Sequence, residues 1–319
     1  MLQLLFRRLC LGVVTVWIVS VIIFAGVEAL PGDACTAFLE RDAQGKLLEN
    51  CRRDLGLDKP AVTRYLEWAS GAVLGDFGVS ADGQQSIASL VGDRVKNSIL
   101  LAAGALAVGV PLAILMGVIT GLWRDSWIDI FLSTGAIFAM TIPEFVSATV
   151  LILIFAIWLG WVPAIVITPA DAPALDFFPE FVLPAVVLTM VMIAHIMRMV
   201  RSSVIEVMAS DYIQMAMLKG VPYWRIVFRH ALPNALLPAI NVVALTVAWL
   251  LGGVVVVEVV FNYPGLGRTM IDAISDRDLP VIQALALLVA ATYVGVNLVA
   301  DILTMVLNPR LRTLHQGRK

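Results

Sequence analysis

Long uninterrupted apolar runs, at about 9–30, 98–122, 129–160, 181–200, 235–261 and 281–307, dictate what this chain can become. Each matches or approaches the ~20 residues a helix needs to cross the hydrocarbon core of a bilayer. In that solvent a lipid-exposed segment must pair its own backbone groups, so runs of this kind fold as helices. Composition agrees: 60% of the residues are hydrophobic and 14% charged, against about a quarter charged in ordinary globular domains. The expectation is an all-α integral membrane protein with six spans. The third run is long enough for a tilted helix plus a re-entrant or interfacial piece, and Pro143 and Pro163 punctuate it. The fourth is the weakest span.

Lys and Arg in the short loops set the orientation. Arg7 and Arg8 precede span one, Arg124 lies between spans two and three, and Arg198, Arg201, Lys219, Arg225 and Arg229 lie between four and five. Arg310, Arg312, Arg318 and Lys319 form the tail. All fall on one side, the cytoplasm, while the opposite short segments carry only Arg268 and Arg277. Both termini are then cytoplasmic. The apolar part of span one is too long for a signal h-region and no A-x-A-like site ends it, so it reads as a retained signal-anchor helix. The chain divides into a tail and first helix (1–30), a periplasmic loop or subdomain (31–97), a five-helix core (98–307) containing a cytoplasmic segment (201–234), and a cytoplasmic tail (308–319).

The external loop reads partly helical, with Pro60 at a first-turn position before "AVTRYLEWASGAVLGDFG". Cys35 and Cys51 both fall in it, in an oxidising compartment for a bacterial inner-membrane protein, which leaves open a disulfide or two unpaired thiols. Cys10, inside span one, is a packing residue. Acidic residues near spans carry more information, because an ionised side chain in lipid is costly. Glu144, just after Pro143, either faces a translocation path or satisfies a kinked backbone. Glu258, near the outer end of span five, either lines a gate or contacts an external receptor, or else caps the amides of the following turn "NYPGLG". Asp301 suits a structural ion pair.

Several function classes are disfavoured. A net charge of −2 argues against nucleic-acid binding. Three histidines without H-E-x-x-H, and no G-x-S-x-G-like serine in a span, leave no protease or intramembrane hydrolase site. No metal-ligand cluster is visible, and no G-x-x-x-x-G-K-[ST] phosphate loop occurs, so no cofactor is assigned to this chain.

Segment 201–234 remains, "RSSVIEVMASDYIQMAMLKGVPYWRIVFRHALPN". It divides into two short helices: Ser210 or Asp211 caps the first, Gly220 supplies a left-handed C′ residue, and Pro222 opens the second, which ends by Pro233. Trp224, Val227, Phe228 and Ala231 recur at helical spacing, with Arg225 and Arg229 on another face. The residues alone leave two readings: a helix resting on anionic headgroups, or a docking element for a cytosolic partner.

Gly220, nine residues and then "HALP" resembles the loop of ABC importer permeases of the form EAA, three residues, Gly, nine residues, I-x-L-P. Gln214, Met215 and Ala216 stand where EAA would, and His230 replaces the isoleucine. "DYIQMAMLKG" with "RHALPNALLP" is similar to the peptide-transport (dipeptide/oligopeptide/nickel) permeases, as are "LFRRL", "LPGD", "LGLDKPAVTRYLEW", "GDFGVS" and "VEVVFNYPGLGRTMIDAI". The resemblance implies the type I permease fold, in the member of the pair with the large loop after its first span. It implies coupling to an ATPase subunit through Asp211, Tyr212, Ala216, Lys219, Gly220, Arg225, His230 and Pro233. The implied partners are a second homologous permease, two cytoplasmic ATPases that bind ATP and Mg, and a periplasmic binding protein, together with membrane lipid. Transport would be by alternating access, with peptides the first substrate expected and glutathione, nickel chelates or sugar-like compounds the alternatives. A stand-alone secondary transporter or channel is the other reading; it calls for mid-span carboxylates and broken helices in paired halves.

Overall fold

A computed structural model describes residues 2–30, 32–39, 44–54, 56–81 and 85–307; the tail expected at 308–319 lies outside these. In chain order the helices are α1 (Leu2–Glu28), α2 (Ala34–Leu39), α3 (Gly45–Asp54), α4 (Ala61–Val73), α5 (Ile87–Leu122), α6 (Trp127–Thr141), α7 (Glu144–Leu151, continued by a π turn, Ile152–Trp158), α8 (Val182–Met208), α9 (Asp211–Leu218), α10 (Tyr223–Arg225), α11 (Leu232–Ala235), α12 (Leu237–Val260), α13 (Leu266–Ser275) and α14 (Leu279–Leu307). A second π turn, Ile226–Ala231, joins α10 to α11. Among the described residues there is no strand beyond one isolated bridge, Val79 to Ser86.

Among the described residues, five helical stretches are long and apolar enough to cross a membrane: 6–28, 87–122, 182–208, 223–247 and 279–299. The third apolar run is broken. α6 and α7 are bent by 108° at Ile142–Pro143, where both residues take extended backbone angles. Proline lacks the N–H that would continue α6 and pushes the residue before it out of the helical region.

α5 packs along α8 through a ladder of residues spaced by four. Leu101, Ala105, Gly109, Ala113, Gly117 and Gly121 are all buried. A Cβ on Gly117 would lie 2.7 Å from the Met197 carbonyl oxygen, and one on Gly121 2.7 Å from Val204 Cβ. Small residues let the two backbones close up, which is how helices associate where lipid supplies no hydrophobic drive. Gly109 meets Met192, Gly117 meets Val200 and Gly121 meets Val204, so the contacts climb together and the two helices run parallel. α8, the fourth run, is the interior helix: half of its most apolar window is buried, against 6% for α1. Its neighbours are protein more than lipid.

α1 lies on α14 in the opposite sense. Gly12 comes against Val294, and Arg8 pairs with Asp301 further towards the N-terminus. The starts of α5 and α14 meet in a second core of Ile87, Val91, Val281, Ala284 and Leu285. These directions define two faces. The basic face carries Arg7, Arg8, the ends of α5, α8 and α14, and segment 201–234. The loop face carries the end of α1, α2–α4 and the starts of α5, α8 and α14.

α5 begins at Ile87, inside the segment that sequence assigned to the loop. On the loop face Cys35 and Cys51 form a disulfide that joins α2 to α3. Arg52 Nε donates to Asp33 at 2.6 Å beside it. α4 leans on α1: Arg64 donates to Glu28 at 2.5 Å, Tyr65 and Ser20 share a 2.9 Å hydrogen bond, and Phe24, Tyr65 and Trp68 cluster. Trp123, Trp127, Trp158 and Trp161 are exposed near helix ends, where their amphipathic rings suit the membrane interface.

Candidate functional site

The hairpin after α8 is built on one glycine. Gly220 has φ +74°, a conformation that side chains with a Cβ disfavour. Its N–H donates to Met217 O at 2.9 Å and that of Val221 to Ala216 O at 3.2 Å. Together they complete a Schellman motif, and Pro222 then starts α10. Ser210 stands at the start of α9, but its hydroxyl donates back to Val207 O at 2.5 Å and caps nothing.

The second helix does not end at Pro233. It passes through the π turn into α11 and, after Leu236, into α12. A π turn pairs residues five apart, which accommodates a proline that has no N–H to give. It also redistributes the faces. Ile226, Val227 and Ala231 point inward, Ile226 and Ala231 joining Ile213 in a small core, while Trp224 and Phe228 are turned out. The four apolar residues spaced as one helical face are therefore split. Trp224 stacks on Phe228, with ring centroids 5.8 Å apart, and Tyr223 meets Trp224 edge-on. Tyr212, Met215 and Leu218 of α9 are exposed as well.

The other expected residues sort by location. Asp211, Lys219, Arg225 and Pro233 are exposed, and Ala216 and His230 half-buried. The His230 carbonyl accepts from Asn234 Nδ2 at 2.8 Å and from Tyr212 at 3.4 Å. Asn234, adjoining "HALP", was not singled out from sequence, yet it ties α9 to the entrance of α12.

Glu258 is fully buried on the loop face. It accepts from Ser98 Oγ (2.5 Å), Gly267 N (2.7 Å) and Arg268 N (3.1 Å). Ser98 in turn accepts from Leu266 N, Tyr263 donates to Asn97 O at 2.9 Å, and Asn97 donates to Pro264 O at 3.0 Å. Gly265 packs against the Glu258 carboxylate with no room for a Cβ. Of the two sequence readings of Glu258, the contacts are those of the cap. Nearby, Asp278 accepts from Ser80 and from the amides of Ala81 and Val281.

Glu144 sits at the α6–α7 break, partly buried, and its Oε2 is enclosed without a hydrogen-bond partner among the described residues. One pair was missed altogether. Asp129 is 2% exposed and takes a bidentate grip from Arg201, at 2.6 and 2.7 Å, with further bonds from Asp125 N and Ser133 Oγ. It clamps α6 to α8 just ahead of the hairpin; the residues are too far apart in sequence for spacing to reveal them.

A continuous membrane-spanning core ending in a glycine-centred hairpin is the geometry that comparison with known proteins explains. Residues 109–313 match the family described as binding-protein-dependent transport system inner membrane component, and residues 1–99 match its N-terminal region. The chain belongs to this family. It is 34% identical over 312 residues, 98% of its length and 99% of theirs, to the glutathione transport system permease protein GsiC of Escherichia coli strain K12 and of Shigella flexneri serotype 5b. As a binding-protein-dependent permease it is a multi-pass component of an ABC transport system in the inner membrane. Such a system works with ATPase and substrate-binding partners.

Proposed function

We propose that the chain is one of two homologous permeases that enclose the path of an ATP-driven importer for di- or oligopeptides. The observation that carries this reading is the α9–α10 hairpin. It is locked from within by Ile213, Ile226 and Ala231, fixed at its bend by Gly220, and apolar on its outer side. Two ATPases bind ATP and Mg, close, and push the hairpin; the π turn passes the push into α12 without a flexible joint. Asp211, Tyr212, Ala216, Lys219, Gly220, Arg225, His230 and Pro233 make or support the docking element.

Six spans with cytoplasmic termini accord with the helix directions. α5 and α8 run parallel, which calls for one crossing between them, and the bent α6–α7 pair is the segment available. α1 and α14 run antiparallel, as the first and last of an even number do. Glu144 lies at the broken span and faces the path. Glu258 holds the outer turn that the periplasmic binding protein approaches, with segment 31–97 alongside. The similarity to glutathione permeases supports a peptide-like substrate, and a γ-linked tripeptide is the alternative.

The test is co-purification from the host membrane in mild detergent, with ATPase assay of the complex and of Gly220→Trp. Recovery of a second permease and two ATPases, with turnover lost in the variant, supports the reading. A chain that purifies alone would overturn it in favour of a secondary transporter. Peptide uptake into vesicles, with glutathione as competitor, decides the substrate.

A further inference from the structure

Beyond transport, the α1–α14 seam contains a feature that neither the path nor the hairpin uses. At the basic face the two helices part into a groove of about 470 Å³. Its polarity is graded along its length. Arg7 and the Arg8–Asp301 pair stand at the membrane-surface end. Leu11, Gly12, Val294 and Leu298 form apolar walls further in. Asp301 is answered by Arg8, while Arg7 is exposed and pairs with no acid among the described residues. The groove thus keeps one net positive charge. On its α14 side the Tyr293 ring is half-exposed, and Asn297 gives its amide to Tyr293 O at 2.9 Å.

We propose that this groove holds one anionic phospholipid, with the phosphate against Arg7 and an acyl chain running inward along Leu11, Leu298 and the Tyr293 ring. Charge complementarity points to that occupant: a guanidinium forks onto phosphate oxygens, and basic pockets between spans at a membrane surface suit acidic headgroups. Position points the same way. α1 is the least buried span, and its apolar residues around the groove, Phe6, Leu9 and Val13, are turned outward. An amphiphile matches a site that is cationic at one end and apolar along the rest; a soluble anion would leave the apolar walls uncovered.

The probe is phosphatidylglycerol, added to the detergent-purified complete transporter and counted by native mass spectrometry against phosphatidylethanolamine. The wild type retains phosphatidylglycerol selectively. Arg7→Gln lowers that retention about five-fold, the scale expected for one arginine at an anionic surface, and Tyr293→Ala, which removes part of an apolar wall, lowers it by less. Arg124→Gln, at a basic-face arginine outside the groove, leaves it unchanged. Equal retention in Arg7→Gln and wild type would overturn the site. Equal loss in Arg7→Gln and Arg124→Gln would replace it with general surface attraction. Crosslinking of Leu11→Cys to the second permease, in place of lipid, would overturn the site and assign the groove to a protein contact. None of these outcomes depends on which solute is carried.

Discussion

The two ends of the molecule are finished to different degrees. On the loop face, Glu258, Ser98, Tyr263 and Asp278 are buried and joined by hydrogen bonds from α5, α12, α13 and α14. On the basic face, the hairpin has an ordered interior but presents Leu218, Trp224 and Phe228 to its surroundings. Both ends have packed interiors, and the loop face too leaves Val73, Leu74, Leu175 and Phe178 uncovered; what sets the hairpin apart is that its exposed rings are stacked on one locked bend. A knot of hydrogen-bonded polar groups keeps a shape, whereas an apolar surface on a locked element is open to a contact. The difference is the one expected if the proposed partner docks on the hairpin.

The comparison breaks most visibly at Glu258. Glu258→Ala leaves the Gly267 and Arg268 amides and the Ser98 hydroxyl buried without an acceptor. Unmade bonds of this kind cost about 1–3 kcal/mol each, so a loss of about 3 kcal/mol in unfolding stability in detergent is expected, with Glu258→Gln milder. A thermal shift near zero would show that the knot does not hold the outer turn. At the hairpin, by contrast, Trp224→Ala with Phe228→Ala removes exposed rings. The melting midpoint should move little while recovery of the ATPase subunits falls at least several-fold, which pull-down measures. Equal damage to stability would mean that these rings belong to the fold.

Next in size is the disulfide. Cys35 and Cys51 are separated by 16 positions, and a loop of that length constrains the unfolded chain by about 3 kcal/mol in the entropic model. The effect is confined to the α2–α3 region, so Cys51→Ser should raise hydrogen exchange there and leave α5 and α8 protected. Gly220→Ala sharpens the other side. The site has open space around a Cβ, so only the left-handed backbone penalises it, by about 1 kcal/mol. ATPase stimulation should fall modestly, far less than with tryptophan.

How much of this was legible follows from physical scale. Apolar runs and a helix-ending glycine are local, and the sequence carries them openly. The Gly-Ala ladder of α5 also has a fixed period, but it is hidden in a run where every face is apolar because one side meets lipid. Asp129 with Arg201, and Ser98 with Glu258, are brought together by helix packing that no spacing encodes. Pro143 marked a break without giving its angle. The assignment of Trp224, Val227, Phe228 and Ala231 to one face failed because a π turn shifts the helical phase in mid-segment. Pro233, read as a stop, is the residue that the π turn accommodates.

The smallest expected effect tests whether the external subdomain belongs with the knot. Burial raises the pKa of Asp33, but the Thr36 amide and the Arg52 guanidinium outweigh it, so the carboxyl stays below its ordinary value. A carboxylate whose folded-state pKa is depressed adds stability above its unfolded pKa, about 3.9, and that contribution is lost as pH falls through the lower folded value. The melting midpoint of wild type should therefore exceed that of Asp33→Asn by a constant margin from pH 7 to about 5, and the margin should close below pH 4. Because Asp33 is partly solvated, its margin should be smaller than the loss in Glu258→Ala. A margin that persisted at pH 3 would mean that Asp33 acts through its shape and hydrogen bonds, not its charge, and the subdomain would then resemble the knot in kind as well as in position.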